Sequence, residues 1–392
     1  MAVVNSHPVQ YFAPLYAFLN GDPSLEVTAL YCSDLSLRGG MDPGFGHSVK
    51  WDVDLLGGYR SVFLGTRATS RVPGGFWSLV CPEVWTEIRS GRHDAVWLHG
   101  YAFAVDGLAF LAAKSRGLPV FYRSETHLGL RPAGWKRGVR DAVLSMAARF
   151  VDGFLAIGTA NREYYRALGA PEHKIFDVPY SVDNDRFISA AKLTAREREA
   201  VRQKFGLPPG RPVVLFASKL MGRKHPDDLV HVMARLRDEG VAASLLFVGS
   251  GEMEPALRSL VVDYNLGGSV FFGGFVNQAE LPSVYAASDL FVLPAENEPW
   301  GLIVNEVLCA GVPVIVAAQV GCVPDLVHDG ENGLLVTAGD VASLTAAVRR
   351  LLADENARVS MGQKGLDLIQ NWNYERCRRG LRAAVESLHV VG

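Results

Sequence analysis

The strongest constraint in this chain of 392 residues is a rhythm. Short, unbroken apolar runs alternate with longer amphipathic stretches, and the whole series occurs twice. The first series is AVVNS (2–6), LEVTALYC (25–32), DAVWLH (94–99), LPVFYRS (118–124) and DGFLAIG (152–158). The second is PVVLFAS (212–218), ASLLFVGS (243–250), SVFFGG (269–274), DLFVLP (289–294) and VPVIVA (312–317). Helical periodicity fills the intervals, at 75–90, 102–115 and 134–149, then at 226–238, 254–264, 280–287 and 302–310. Runs that are apolar throughout belong to strands buried on both faces, and such strands build parallel sheets covered by helices. Two series predict an α/β chain with two doubly wound, Rossmann-like domains. A charged stretch, AREREAVRQKFG (195–206), leads into LPPGRP (207–212), whose Pro and Gly mark a turn before the second series. The expected domains are therefore 1–188 and 189–372. Segment 35–75 is rich in glycine and lacks a clear period, so it reads as a long loop or a small insertion.

Charge and cysteine content remove several classes of function. A net charge of −2 gives no basic footprint for nucleic acid. Cys32, Cys81, Cys309, Cys322 and Cys377 are odd in number and scattered, with no C-x-x-C pair. That argues against zinc or a disulfide framework and for reduced thiols in the cytoplasm. No apolar run reaches the ~20 residues of a spanning helix. MAVVNSHPVQYF has no long apolar core behind a basic start, so no signal peptide is expected. An exported, non-catalytic two-lobed binding protein is thereby disfavoured. A dehydrogenase would need G-x-G-x-x-G after the first strand, where this chain has SHPVQYF.

The stretch ENEPWGLIVNEVLCAGVPVIV (296–316) carries the most chemistry. DLFVLP ends a strand, 295–300 forms its exit loop, and Gly301 opens a helix. Glu298 then sits just ahead of the helix and Glu306 about 12 Å further along it. The first-turn amides between them make a ready anion site. A carboxylate, an anion cradle and a second carboxylate suit a sugar, a diphosphate and a ribose. The same pattern also fits a helix with one dipole-favoured acid and one solvent-facing acid. A second stretch, FASKLMGRKHPDDLV (216–230), puts Lys219 at a strand end and Lys224 at the start of the next helix. Two ammonium groups there can neutralise the charge that builds as a nucleotide leaves. They can equally be solvated surface lysines, and Arg223 competes for one of the contacts.

With K-L-x-x-x-K after a strand and E-x7-E in EPWGLIVNE, the chain resembles the donor site of the retaining glycosyltransferases of family 4. LLFVGSGEMEPAL (245–257), VFFGGFV (270–276), ELPSVYAASDLFVLPA (280–295), AGVPVIVA (310–317) and VHDGENGLLV (327–336) follow in the family's order. HPVQYFAPL (7–15), DAVWLHG (94–100) and NREYYRALG with VPYSVDNDRF (161–187) extend the likeness over nearly the whole chain. The resemblance implies the GT-B fold, two Rossmann-like domains facing across a cleft, with the last helix (373–392) packing back on the first. It implies transfer of a hexosyl group from UDP or GDP to a hydroxyl acceptor: a glycan, a lipid or a small molecule. Anomeric retention is implied too, without a metal or other cofactor. Lys219 and Lys224 would hold the diphosphate, Glu298 the donor-sugar hydroxyls and Glu306 the ribose. Backbone at Pro299, Trp300, Gly301, Leu302 and Ile303 would bind phosphate. Val276 would lie near the base, and Gly249 and Gly251 would shape the neighbouring loop.

The chain departs from the family's pattern in two places. The usual Gly-rich loop after the first strand is replaced by His7, Pro8, Val9 and Gln10, so His7 and Gln10 take its place as candidate phosphate contacts. The usual histidine after the LPVFYRS strand is replaced by RSETH (123–127). Glu125 is favoured there for a sugar- or acceptor-facing role, His127 next, with Arg123 also on offer. His99 either lines the site or satisfies backbone. The D-x-D triplets at Asp52 and Asp183 read as structural, and no His, Cys and Asp cluster has metal-ligand spacing. LRPAGWKRGVRDAVLSMAARF (130–150) groups Arg131, Lys136, Arg137 and Arg140 beside Trp135. It fits peripheral contact with an anionic membrane or a phosphorylated acceptor, or a plain solvated helix face. The aromatic stretch 45–65 is either an acceptor lip or core. A sugar-nucleotide epimerase or hydrolase of the same fold is the rival within enzymes.

Overall fold

The computed structural model describes residues 1–42, 44, 46–65, 72–130 and 135–388. It divides into two compact units. The first comprises Met1–Gly40, Val53–Asp183 and Asn373–Gly392; the second comprises Met41–Asp52 and Asn184–Trp372. In chain order the strands are β1 (Ala2–Asn5), β2 (Thr28–Tyr31), β3 (Gly40–Asp42), β4 (His47–Val49), β5 (Arg60–Phe63), β6 (Val96–His99), β7 (Val120–Arg123), β8 (Gly153–Ala156) and β9 (Ile175–Asp177). Then follow β10 (Val213–Ala217), β11 (Ser244–Val248), β12 (Val270–Gly274), β13 (Leu290–Leu293), β14 (Val314–Ala317) and β15 (Gly333–Val336).

The first unit holds a seven-stranded sheet in the order β5-β2-β1-β6-β7-β8-β9. Its pairings are parallel, with Val3 opposite both Ala29 and Trp97. The second unit holds a six-stranded parallel sheet in the order β12-β11-β10-β13-β14-β15. A pair, β3 and β4, stands apart from both. In each large sheet the order reverses beside the first strand. Loops leaving the two flanking strands diverge there, which opens the crevice where doubly wound sheets bind ligands. In the second unit that point lies between β10 and β13.

Burial explains the unbroken apolar runs. Every residue of β1, β2, β7, β10, β11, β13 and β14 is buried. One core gathers Val4, Leu98, Val120 and Phe154 with Val105, Ala109 and Ala112 of the helix Ala104–Ser115. No helix among the described residues is long and apolar enough to cross a membrane.

The structure also differs from the sequence reading. Segment 35–75 is not a plain loop: β5 lies within it, parallel to β2, with Thr28 opposite Arg60. That strand is only half-buried, so its apolar signal is weak. The helix expected over 75–90 is shorter, Glu83–Arg89, preceded by a 3-10 turn at Phe76–Ser78. Residues 41–52, read as part of the first domain, belong to the second unit. The Asn277 side-chain amide donates to Lys50 O at 2.7 Å, and Asp52 accepts the Ala279 N–H at 3.1 Å. Phe275 packs on His47 and Trp51 at ring distances of 5.2 and 6.0 Å. At the other border, the Asn184 amide donates to Ile369 O at 2.7 Å. The last helix, Tyr374–Ser387, is capped by Asn373, which accepts the Arg376 N–H at 3.0 Å.

One buried charge makes this fold pH-sensitive. Asp106 accepts the Phe103 N–H at 3.0 Å, but burial outweighs that bond and raises its pKa to about 7. An unfolded Asp titrates near about 3.9. The folded chain therefore keeps a proton that the unfolded chain has released, so this group's contribution is full below the lower value and is lost as pH rises through the upper one. Asp106→Asn, which still accepts from Phe103, should flatten the fall in urea-unfolding stability between about pH 4 and about pH 7. An unchanged slope would show that Asp106 titrates normally.

Candidate donor-binding site

The loop after β10 is built on close backbone contact. Ser218 N–H donates to Val248 O and Leu220 N–H to Ser250 O, both at 3.0 Å. Two glycines permit this. Gly249 has φ +119, and a Cβ there would lie 2.1 Å from Ser218 O. A Cβ on Gly251 would lie 2.4 Å from Leu220 O. Lys219 is thus held by a rigid double layer. The chain then makes a 3-10 turn, Gly222–Lys224, passes through His225 at φ 51, and enters the helix Pro226–Asp238.

Lys224 is buried, and its ammonium pairs with the Glu298 carboxylate. Arg223 Nη1 reaches the same carboxylate at 2.9 Å, and Glu296 N–H donates to Arg223 O at 2.9 Å. The exit loops of β10 and β13 are therefore joined by both charge and backbone. Burial lowers the Lys224 pKa; Glu298 opposes that shift, while Arg223 and Lys219 add to it. That influence brings Lys219 and Lys224 into one electrostatic neighbourhood.

After Glu298 the chain is held from below. Gly321 N–H donates to Glu298 O at 3.1 Å and Cys322 N–H to Trp300 O at 3.0 Å. The Trp300 ring is buried, stacks on Trp372 at 5.8 Å and donates to Asn305 Oδ1 at 2.9 Å. Its side chain is core, which leaves only backbone for a ligand. Gly301, at φ +90, turns the chain into the helix Leu302–Cys309, whose first turn holds half-buried Leu302 and Ile303. Glu306, on the same helix, is fully buried and accepts from Tyr285 Oη at 2.5 Å. Pro299 is half-buried beside Glu298, and Val276 is buried just after β12.

Segment 41–52 adds an unforeseen wall. A Cβ on Gly44 would lie 2.8 Å from Lys219 Nζ. The same segment then runs to the 275–279 loop, so residues 46–52 of the expected acceptor lip lie on the donor-type unit; Phe45 is outside the described residues.

The remaining predicted residues fall in the first unit. His7 meets Ser6 Oγ at 2.9 Å, and Gln10 is half-buried. His99 bonds Tyr16 Oη at 2.8 Å, neither backbone nor open solvent; burial and then Arg123 push its pKa well down. His127 is buried, and its Nδ1 accepts the Gly129 N–H at 3.2 Å. Glu125 is exposed and accepts from Tyr180 Oη at 2.7 Å. Arg123, ranked low in the sequence, is the buried hub here. Its guanidinium lies 5.1 Å from the Tyr180 ring and 5.7 Å from those of Phe12 and Trp97. A polar residue closing an apolar strand run was the available signal.

The sequence reading expects no metal-like cluster, yet His225, Asp227 and Asp228 bring ligand-type atoms within 4.8 Å of one another. Both acids stand in the first turn of a helix, where its dipole favours them. The D-x-D residues make local bonds: Asp54 accepts from Leu56 and Gly57 N–H groups at 3.0 and 2.9 Å. Arg131 and the side chains of Trp135, Lys136 and Arg137 lie outside the described residues.

Against this geometry, residues 197–367 match the family model for glycosyl transferases group 1, and residues 40–181 match a glycosyl transferase 4-like domain. The chain is 30% identical over 305 residues to a GDP-mannose-dependent alpha-(1-6)-phosphatidylinositol monomannoside mannosyltransferase of Mycolicibacterium smegmatis, covering 75% of this chain and 76% of that protein. The chain belongs to glycosyltransferase family 4. This glycosyltransferase is also 33% identical over 336 residues to the monoacylated-substrate counterpart of Corynebacterium glutamicum, a GDP-mannose-dependent monoacylated alpha-(1-6)-phosphatidylinositol monomannoside mannosyltransferase, covering 83% and 81% of the two chains. HepE of Anabaena, solved with UDP and glucose, shares the GT-B fold at a TM-score of 0.73 and 17% identity, covering 98% of this chain and 99% of that one. Sucrose-phosphate synthase of Thermosynechococcus elongatus does so at 0.74 and 21%, covering 100% and 99%.

The double-layered loop in this glycosyltransferase has a measurable cost. Gly249→Ala forces a positive φ on a side chain that meets backbone, and should lower urea-unfolding stability by ~1–3 kcal/mol or more. Gly222→Ala, where a Cβ meets nothing within 4 Å, is the control and should stay within about 0.5 kcal/mol. Equal effects would show that the close approach is absent in solution.

Proposed function

We propose that this glycosyltransferase moves a hexosyl group from a nucleoside diphosphate, UDP or GDP, to a hydroxyl of a glycan, lipid or small molecule, with retention at the anomeric carbon. What supports the reading most is the buried Lys224–Glu298 pair, set beside Lys219 and a helix N-terminus. Three cationic groups, Lys219, Arg223 and Lys224, gather around one carboxylate. An arriving diphosphate supplies the missing negative charge. The ammoniums and the first-turn amides then stabilise it as it leaves, where preorganised charge does most for a rate. Glu298 takes donor-sugar hydroxyls, Glu306 the ribose, and Glu125 or His127 the side facing sugar or acceptor. No metal is assigned to the diphosphate in this reading, because those cations fill that role. The relatives' names, which specify GDP-mannose and a phosphatidylinositol mannoside, favour a nucleotide-sugar donor and a hydroxyl acceptor. The five cysteines are all buried thiols, which suits a reducing cytoplasm.

A thermal-shift panel of nucleotide sugars identifies the donor, since ligand at 100 times Kd stabilises by ~2.7 kcal/mol. With that donor, Lys224→Ala should cost roughly 2–5 kcal/mol in kcat/KM, as when one partner of a buried charge pair is removed. A change of less than twofold would take Lys224 out of the site. Glu306→Ala should raise the donor KM more than it lowers kcat; an unchanged donor affinity would remove the ribose role. Proton NMR of the fresh product reads the anomeric configuration, and donor consumed without acceptor would favour a hydrolase.

A further inference from the structure

The first unit contains an apolar cavity that none of the donor chemistry uses. It has a volume of about 160 Å³ and lies between the helices Ala104–Ser115 and Trp135–Ala148, over the sheet. Leu98, Phe110, Leu144 and Phe154 form its walls, and Gly107 and Ala147 leave it room. Gly107 stands in a helix interior, where glycine is unfavourable, and a Cβ there would meet nothing within 4 Å. Protein interiors seldom leave such space, because atoms lining a void lose their dispersion partners. A dry cavity of this size, lined by aliphatic and aromatic groups, accepts an apolar guest.

The surface beside it is apolar as well. Leu111, Val143, Met146 and Phe150 are 57%, 60%, 63% and 60% exposed. Positions 143, 146 and 150 recur at helical spacing, so they make one stripe. Single exposed apolar residues are ordinary, but a stripe continuous with an apolar cavity marks an interaction site. Charge is set next to it. Arg140 lies one turn before Leu144 and pairs with Asp141 at 3.0 Å. Arg149 adjoins Phe150 and is exposed, with no ion pair among the described residues. A stripe that enters a surface film, a pocket for a chain and a cation beside them together describe an anionic amphiphile.

We propose that this cavity takes one hydrocarbon chain of an anionic lipid, and that this lipid carries the hydroxyl that accepts the sugar. The second half of the proposal rests on the transferase reading above; the first half does not. Titration calorimetry with n-alkyl phosphates of increasing length tests the cavity, with inorganic phosphate as the chainless reference. Affinity should rise about fourfold per methylene, the worth of burying one CH2, and stop rising once the cavity is full. Ala147→Phe should bring that plateau at a shorter chain, while Val143→Ser should leave the plateau in place. Should Ala147→Phe fail to fold, Gly107→Leu serves in its place. Affinity that climbs without a plateau, or a plateau that neither filling variant moves, overturns the cavity assignment. For the acceptor half, donor labelled in its sugar is incubated with vesicles of phosphatidylcholine and phosphatidylinositol. Label should enter the organic phase, and less of it with Ala147→Phe. Label confined to water overturns that half. Nucleotide-sugar protection in thermal shift, read on the same samples, separates the failures: if it persists while chain binding fails, the donor reading stands; if no nucleotide sugar protects, the donor reading falls on its own.

Discussion

A single buried charge pair organises the second unit. Lys224 and Glu298 come from loops 74 residues apart in sequence, and each would be costly to bury alone. Together they tie the exit of β10 to the exit of β13, the two strands that flank the point where the sheet order reverses. Taking two charges out of water and pairing them rarely adds stability compared with apolar packing of the same volume. The pair is better understood as a device that holds charge in readiness. Arg223 and Lys219 keep the neighbourhood positive, so the site is under-neutralised without an anion. That imbalance is what a diphosphate would relieve.

The rest of the unit serves to make that geometry rigid. The glycines at 249 and 251 let one loop lie directly on another, so Lys219 does not sit on a flexible tip. Trp300 spends its indole on Trp372 and Asn305, anchoring the chain just where it turns into the helix. Glu306 is oriented by Tyr285 from beneath. Each side chain offered to a ligand has a neighbour that fixes it, as precise positioning of charge requires.

Much of this was legible in the sequence, for physical reasons. Strands buried on both faces must be apolar throughout, so the ten long runs appear where they are written. Lys224 and Glu298 stand out because charges at strand-to-helix junctions are few and have defined neighbours. What escaped reading follows rules too. β5 is a half-buried edge strand, and β9 has only three residues, so neither has a strong pattern. Residues 41–52 join the second unit through contacts with residues more than 200 positions away, which no local pattern encodes. Arg123 was underrated because a buried cation held by three aromatic rings looks, in sequence, like the polar end of a strand.

The two units also differ in how they treat polar groups at their strand ends. In the second, charges of both signs gather and are left out of balance. In the first, His99 is kept neutral by burial and by Arg123, and the surrounding hydroxyls of Tyr16 and Tyr180 are engaged by side chains. Such a surface offers hydrogen bonds and aromatic faces rather than net charge. That is the right chemistry for holding a hydroxyl whose proton must leave only when the donor is in place, since a fixed base there would invite water as readily as the acceptor. Division of labour therefore follows from composition at the strand ends: one unit built to bind an anion, the other to present an alcohol.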